Sequence, residues 1–331
     1  MNLNEIINDI IIVDGHTDIP RDVFLRKAKG EGNPFFDNHY TQLKNSGVSL
    51  VFANIFTKGS EEDSLIQGLL ELEYMHKIAE ESEDIVIIKD KEDLEYVLEN
   101  KKLGLALSLE GFEPLYGDLE LLDLYYRFGV RAGMLTWNKK NPFAHGNDEE
   151  KGGLTELGFD AVKKMNDLGM IIDVSHLNDD GFWDIVKANK KLTVASHSNA
   201  RALFNHPRNL TDDQIKAIAN SGGVIGINSY FSKVDEEDPG KLRTKDDETE
   251  TIHDVIKHIE YMVELVGYDH VALGLDFNMY LGDFGVKGLE SAEQIPDLIK
   301  LLLERGHSID NVRKIAGENW IRVLREILIK S

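Results

Sequence analysis

Eight short, almost wholly apolar runs recur along the 331-residue chain and constrain its fold more than any other feature. They are Ile10–Val13, Val48–Phe56, Leu103–Leu109, Val130–Thr136, Met170–Val174, Leu192–Ala195, Val224–Ile227 and Val271–Leu275. Such β-branched runs are what strands covered on both faces look like, as in parallel sheets. Amphipathic, helix-like stretches separate them. Leu154–Leu168 ends at Gly169, which suits the left-handed turn that closes a helix. Thr211 with Asp212 and Asp213 caps a helix that reaches Asn220 and stops at glycine, and Thr251–Val266 stops before Gly267. Eight strand–helix units in this length predict an α/β fold, a (β/α)8 TIM barrel. A doubly wound open sheet is the alternative, but no Gly-x-Gly-x-x-Gly follows the first strand. With no Pro/Gly/Ser-rich linker, residues 1–331 read as a single barrel domain. It carries a helical insertion around 59–100, long enough for two helices, and an acidic loop around 235–250.

Charge and cysteine content narrow the partners. The chain has 59 acidic against 37 basic residues, a formal charge of −22. Nucleic acid, which needs a basic footprint, is disfavoured, as is an anionic membrane surface. The first ten residues carry Asn4, Glu5, Asn8 and Asp9 rather than a basic and then apolar leader, and no run is long enough to span a bilayer. A cytoplasmic location is the simplest expectation. The absence of cysteine excludes disulfides, thiolate metal sites and cysteine nucleophiles. Any metal must use imidazole and carboxylate.

Those side chains gather at one end of the runs. The first ends Asp14-Gly15-His16-Thr17-Asp18 and the third Ser108-Leu109-Glu110-Gly111. The fifth ends Asp173-Val174-Ser175-His176, the sixth Ala195-Ser196-His197-Ser198, and the eighth Gly274-Leu275-Asp276-Phe277. In a barrel these C-terminal ends converge on one mouth, where catalytic groups sit. Each residue has a bland reading by itself: a hydrogen-bonded core histidine, a helix cap, a buried ion pair. Three histidines and three carboxylates at the same strand ends would each need a separate buried partner. Two divalent cations satisfy them together. Imidazole with carboxylate suits zinc first, with manganese or cobalt as alternatives. Two ions about 3.5–4 Å apart need a shared ligand. Glu110 is the natural bridge, with His16 and Asp18 completing one site and His176 and His197 the other.

This set of motifs resembles the membrane (renal) dipeptidases of the amidohydrolase superfamily, and it continues in Arg208-Asn209-Leu210-Thr211-Asp212-Asp213. The resemblance runs from His16 to about Asn278. Asp18 in the second place of the first motif is characteristic of the dipeptidases, and the fourth strand offers no lysine to bridge the ions. The resemblance implies hydrolysis of dipeptides at two Zn2+, with a bridging hydroxide as nucleophile. It also implies Asp276 as proton shuttle and Arg208 as the holder of the substrate carboxylate. The first role suits a carboxylate beside an activated water, and the second suits a guanidinium fork. One departure stands out. Mammalian relatives carry a substrate-contacting histidine where this chain has Trp137, and His145 in the same loop is a candidate substitute. Without cysteine, the disulfide-linked assembly of the secreted relatives is ruled out, leaving a homodimer without disulfides. Two rival readings share the metal site: a related hydrolase acting on a lactone, cyclic amide or phosphoester, and a non-catalytic metal-binding barrel. A third, partner binding through the acidic loop, is explained better by a solvated charge run.

Overall fold

The computed structural model describes residues 7, 9–231, 249–282 and 285–328, so most of the acidic loop around 235–250 lies outside the described residues. Among these residues the strands are β1 (Ile12–Thr17), β2 (Val48–Phe56), β3 (Ile85–Ile87), β4 (Leu103–Glu110), β5 (Val130–Met134), β6 (Ile171–Asp173), β7 (Thr193–Val194), β8 (Ile225–Ile227) and β9 (Val271–Leu273). All pair in parallel. One sheet runs β1-β2-β4-β5-β6-β7, and β8 pairs with β9. A bridge from Ala195 to Ile225 joins the two sheets on one side. On the other, the Leu275 N–H donates to Asp14 Oδ1 at 2.7 Å and the Asp276 N–H to the His16 carbonyl at 3.2 Å. The result is the eight-stranded barrel that the apolar runs predict.

Period-two alternation explains how β4 serves core and mouth together. Leu103, Leu105, Leu107 and Leu109 pack into the core between sheet and helices, whereas Ala106 belongs to the cluster inside the barrel. Glu110, on the same parity as Ala106, therefore ends the strand facing inward. β1 needs a correction to that rule. Val13 packs inside, so strict alternation would turn His16 outward. The β1–β2 register shifts between Asp14 and Thr17, an irregularity of the kind that re-aims side chains. The far end of the barrel is plugged by the helix Asn319–Ile327, whose Trp320 is wholly buried and donates from Nε1 to the Leu273 carbonyl at 2.8 Å.

Several boundaries differ from expectation. β1 begins at Ile12 and ends at Thr17, so His16 lies within the strand rather than after it. The insertion does contain two helices, Glu61–Glu81 and Lys91–Asn100, but β3 lies between them and pairs with the start of β4. The helix Asp212–Asn220 has the expected Thr211 cap, though its C-terminal cap is Ser221, one residue before Gly222. No helix among the described residues is long and apolar enough to cross a membrane.

Candidate active site

Six side chains singled out in the sequence meet at the C-terminal mouth. His16 comes from β1, Asp18 from the residue capping the helix Ile19–Ala28, and Glu110 from the tip of β4. His176, His197 and Asp276 follow β6, β7 and β9. All six are buried. Glu110 occupies the centre: its Oε2 lies 3.3 Å from His16 Nε2, and its Oε1 lies 3.0 Å from His176 Nε2 and 3.8 Å from His197 Nε2. His16 Nε2 is also 3.5 Å from Asp18 Oδ1 and 3.7 Å from Asp276 Oδ1. His176 and Asp276 adopt φ of +69° and +52°, strained for residues with a Cβ and typical of functional sites.

The cluster is short of positive charge. His16 Nε2, Asp18 Oδ1 and Glu110 Oε2 are buried without hydrogen-bond partners, although they face one another. The Asn138 side-chain Oδ1 lies 2.7 Å from His176 Nδ1, which therefore donates to it. A neutral His176 then presents a bare Nε2 lone pair to Glu110 Oε1 and to His197 Nε2, 2.9 Å away. Burial pulls both of these imidazoles well below the usual histidine range, and neighbouring cations add to the shift. Burial, then the nearby Asp18, pushes Glu110 up to about 8; burial likewise lifts Asp276 to about 6. Burial acts to lower His16, but Glu110, Asp18 and Asp276 outweigh it and hold that group well above its ordinary value. Buried imidazole nitrogens and carboxylates pointed at one another, which without a metal must hold protons that a cation would displace, are the arrangement a metal resolves. The residues present fit divalent ions.

Above the cluster opens a cavity of about 430 Å3. Asp18, Glu110, His176 and Asp276 form its floor, and Trp137, His206 and Arg208 stand on its wall. Arg208 is held by bonds from its Nη1 to Ser198 Oγ and its Nη2 to the His197 carbonyl, both 2.8 Å. Among the described residues no carboxylate lies within ion-pair distance of it. Burial lowers its pKa to about 10, and it stays a cation at neutral pH.

The family model for membrane dipeptidases (peptidase family M19) matches residues 1–329. The chain belongs to this family. An uncharacterized dipeptidase, C965.12, of Schizosaccharomyces pombe is 30% identical over 349 residues, covering 97% of this chain and 82% of that protein. An uncharacterized protein in the pqqA 5′ region of Klebsiella pneumoniae is 37% identical over 249 residues, 71% of this chain and 86% of its own. In fold, the chain is similar to a metallopeptidase from Rhodobacter sphaeroides, solved with a phosphinate mimic of the dipeptide L-Ala-D-Ala. The TM-score is 0.86 at 23% identity, with 96% of this chain and 99% of that one covered. The chain is a metallo-dipeptidase.

Within this dipeptidase the remaining expected contacts divide. Trp137 does reach the cavity, packed on Phe56 with ring centroids 4.9 Å apart. His145 does not. Its Nδ1 sits 2.8 Å from the Gly153 carbonyl and its ring lies against Gly152, so it fastens the loop and cannot substitute for an imidazole at the mouth. An imidazole does stand on the cavity wall, but it is His206, which the sequence motifs do not single out. Its Nδ1 accepts the Arg208 N–H at 3.1 Å, and its position two residues before Arg208 was the available signal. Asn138, the anchor of His176, and Tyr280, whose hydroxyl oxygen accepts the Asp18 N–H at 3.0 Å, were also missed. Neither carries a distinguishing pattern in sequence.

Proposed function

We propose that this dipeptidase holds two divalent ions, zinc by preference, one on His16, Asp18 and Glu110 and one on Glu110, His176 and His197. The observation that carries the reading is the placement of Glu110, whose two carboxylate oxygens face different imidazoles. Donor atoms also group as His16–Glu110–His197 and as His16–Asp18–Asp276, and these two sets share His16. An imidazole nitrogen has one lone pair and cannot serve two ions, whereas a carboxylate can. That favours Glu110 as the shared ligand. Bound there, the ions would supply Lewis acidity, acidifying water towards neutral pH and polarising the peptide carbonyl.

The chain's own groups do the rest. Arg208 offers its fixed guanidinium to the free carboxylate of a dipeptide, and so sets the length of substrate the mouth accepts. Asp276 is oriented by Asn278 Nδ2, 3.0 Å from its Oδ1, and by Asn228 Nδ2, 3.3 Å from its Oδ2. From that position it takes the proton of the attacking water and passes it to the departing amine. Asp276→Asn keeps the shape and removes the base. It is expected to lower kcat by about 10²- to 10⁴-fold, the scale of general acid–base catalysis, with metal content unchanged. Retained turnover would end this assignment.

A further inference from the structure

The cavity carries one more cation that neither the metal site nor the carboxylate clamp uses. Lys58 follows β2, is exposed, and lines the cavity. Its Nζ lies 5.0 Å from the centroid of the Trp137 ring and 5.1 Å from that of Phe56, over both faces. Its backbone is pinned to the helix Glu61–Glu81: the Lys58 N–H donates to Gln67 Oε1 at 3.3 Å, and Gln67 Nε2 donates to the Lys58 carbonyl at 2.8 Å. Among the described residues no carboxylate is within ion-pair distance of the ammonium. Trp137, where the family resemblance expects histidine, thus serves as the platform of a lysine.

Barrel order fixes where this cation stands relative to the clamp. Round the circle the strands run β1, β2, β4, β5, β6, β7, β8 and β9. β2, which precedes Lys58, and β7, which precedes Arg208, are four strands apart, across the mouth from each other. A dipeptide with its C-terminal carboxylate on Arg208 and its amide over the floor extends its N-terminal residue towards Lys58. Charge points the same way. With Asp18 and Glu110 given to the ions and Asp276 to proton transfer, the formal charges left on the wall among the described residues are Lys58, Arg208 and Asp148. Two cations and one carboxylate complement a substrate with two carboxylates and one ammonium.

We infer that Lys58, seated on Trp137 and Phe56, is a specificity-determining residue that selects dipeptides with an acidic N-terminal side chain. This inference rests on the placement of the substrate carboxylate at Arg208 proposed above. The test compares Glu-Ala with its neutral isostere Gln-Ala on the metal-loaded enzyme, with Lys-Ala and Leu-Ala alongside. The kcat/KM ratio of Glu-Ala to Gln-Ala is expected to be about 1.5- to fivefold, the range of an exposed ion pair. Lys58→Met should bring that ratio to about one, Lys58→Arg should keep it, and Lys58→Glu should turn preference towards Lys-Ala. Phosphinate analogues of Glu-Ala and Gln-Ala, titrated by calorimetry, should show the same ratio in Kd. A ratio at or below one in the native enzyme, or one that survives Lys58→Met, overturns the inference. Arg208→Ala separates the two claims. Loss of binding for every dipeptide confirms the clamp whatever Lys58 does; undiminished binding overturns the clamp and this inference with it.

Discussion

The two halves of the barrel are built differently. On one side the barrel strands β1, β2, β4 and β5 are five to nine residues long and laddered; β2 and β4 pair without interruption from Leu50–Gly104 to Phe56–Glu110. From β6 to β9 they are two or three residues long, and single bridges or side chains complete the circle. The long half presents His16 and Glu110 from the strands themselves. The short half presents His176, His197 and Asp276 from turns, two of them at positive φ. There, buried carboxylates take the place of ladder bonds: Asp173 Oδ1 accepts the Ser175 N–H at 2.9 Å and the Ser196 N–H at 3.1 Å, while Asp14 seals β9 to β1. Short strands free the backbone to aim ligands, and close packing rather than pairing must hold it.

That contrast can be broken first by adding a methyl group. A Cβ at Gly274, just beyond β9, would overlap the Ser196 carbonyl and crowd the Gly226 backbone, neither of which can swing away. At Gly104 in β4 it would meet the Ile88 Cδ1 methyl at 2.8 Å, the movable end of a side chain. Gly274→Ala is expected to cost about 3 kcal/mol in denaturant unfolding and Gly104→Ala about 1 kcal/mol or less. Equal costs would remove the distinction between the halves.

A smaller effect comes from pH. His258, in the helix Ile252–Val266, accepts the Ala200 N–H on Nδ1 at 3.1 Å and so pins the turn after His197. Burial lowers its pKa from 6.5 to about 4, with Asp254 opposing and Lys257 reinforcing the shift. Between those values the unfolded chain binds the extra proton, so the contribution is complete above pH 6.5 and is lost as pH falls towards 4. The stability gap between the native protein and His258→Asn should therefore narrow by about 2 kcal/mol between pH 7 and pH 4.5. A gap that stays constant would show that the imidazole's protonation is not coupled to this turn.

The same contrast explains what could be read without a structure. The long half was legible as apolar runs, and all eight runs correspond to barrel strands. Boundaries slipped where polar residues lie inside a strand. Asp14 and His16 stopped the first apolar run, yet β1 continues to Thr17 because Asp14 is satisfied by the Leu275 N–H. β3 escaped notice because three residues between two amphipathic helices carry too little pattern. Convergence of the six candidate ligands and bases was visible as a repeated position, the polar residue just past each run. What surrounds them was not. His206, Lys58 and Asn138 sit on loops, where only the closed barrel brings chain segments together, and His145 shows that nearness in sequence to the fourth strand does not bring a side chain to the mouth.

The central claim is that Glu110 joins two ions across the two halves. Chelated protein reloaded with zinc, with bound metal measured by mass spectrometry and affinity by calorimetry, tests it most directly. Two ions per chain are expected, with Glu110→Ala weakening both. Saturation at one ion, or two ions held by Glu110→Ala at native affinity, would contradict it.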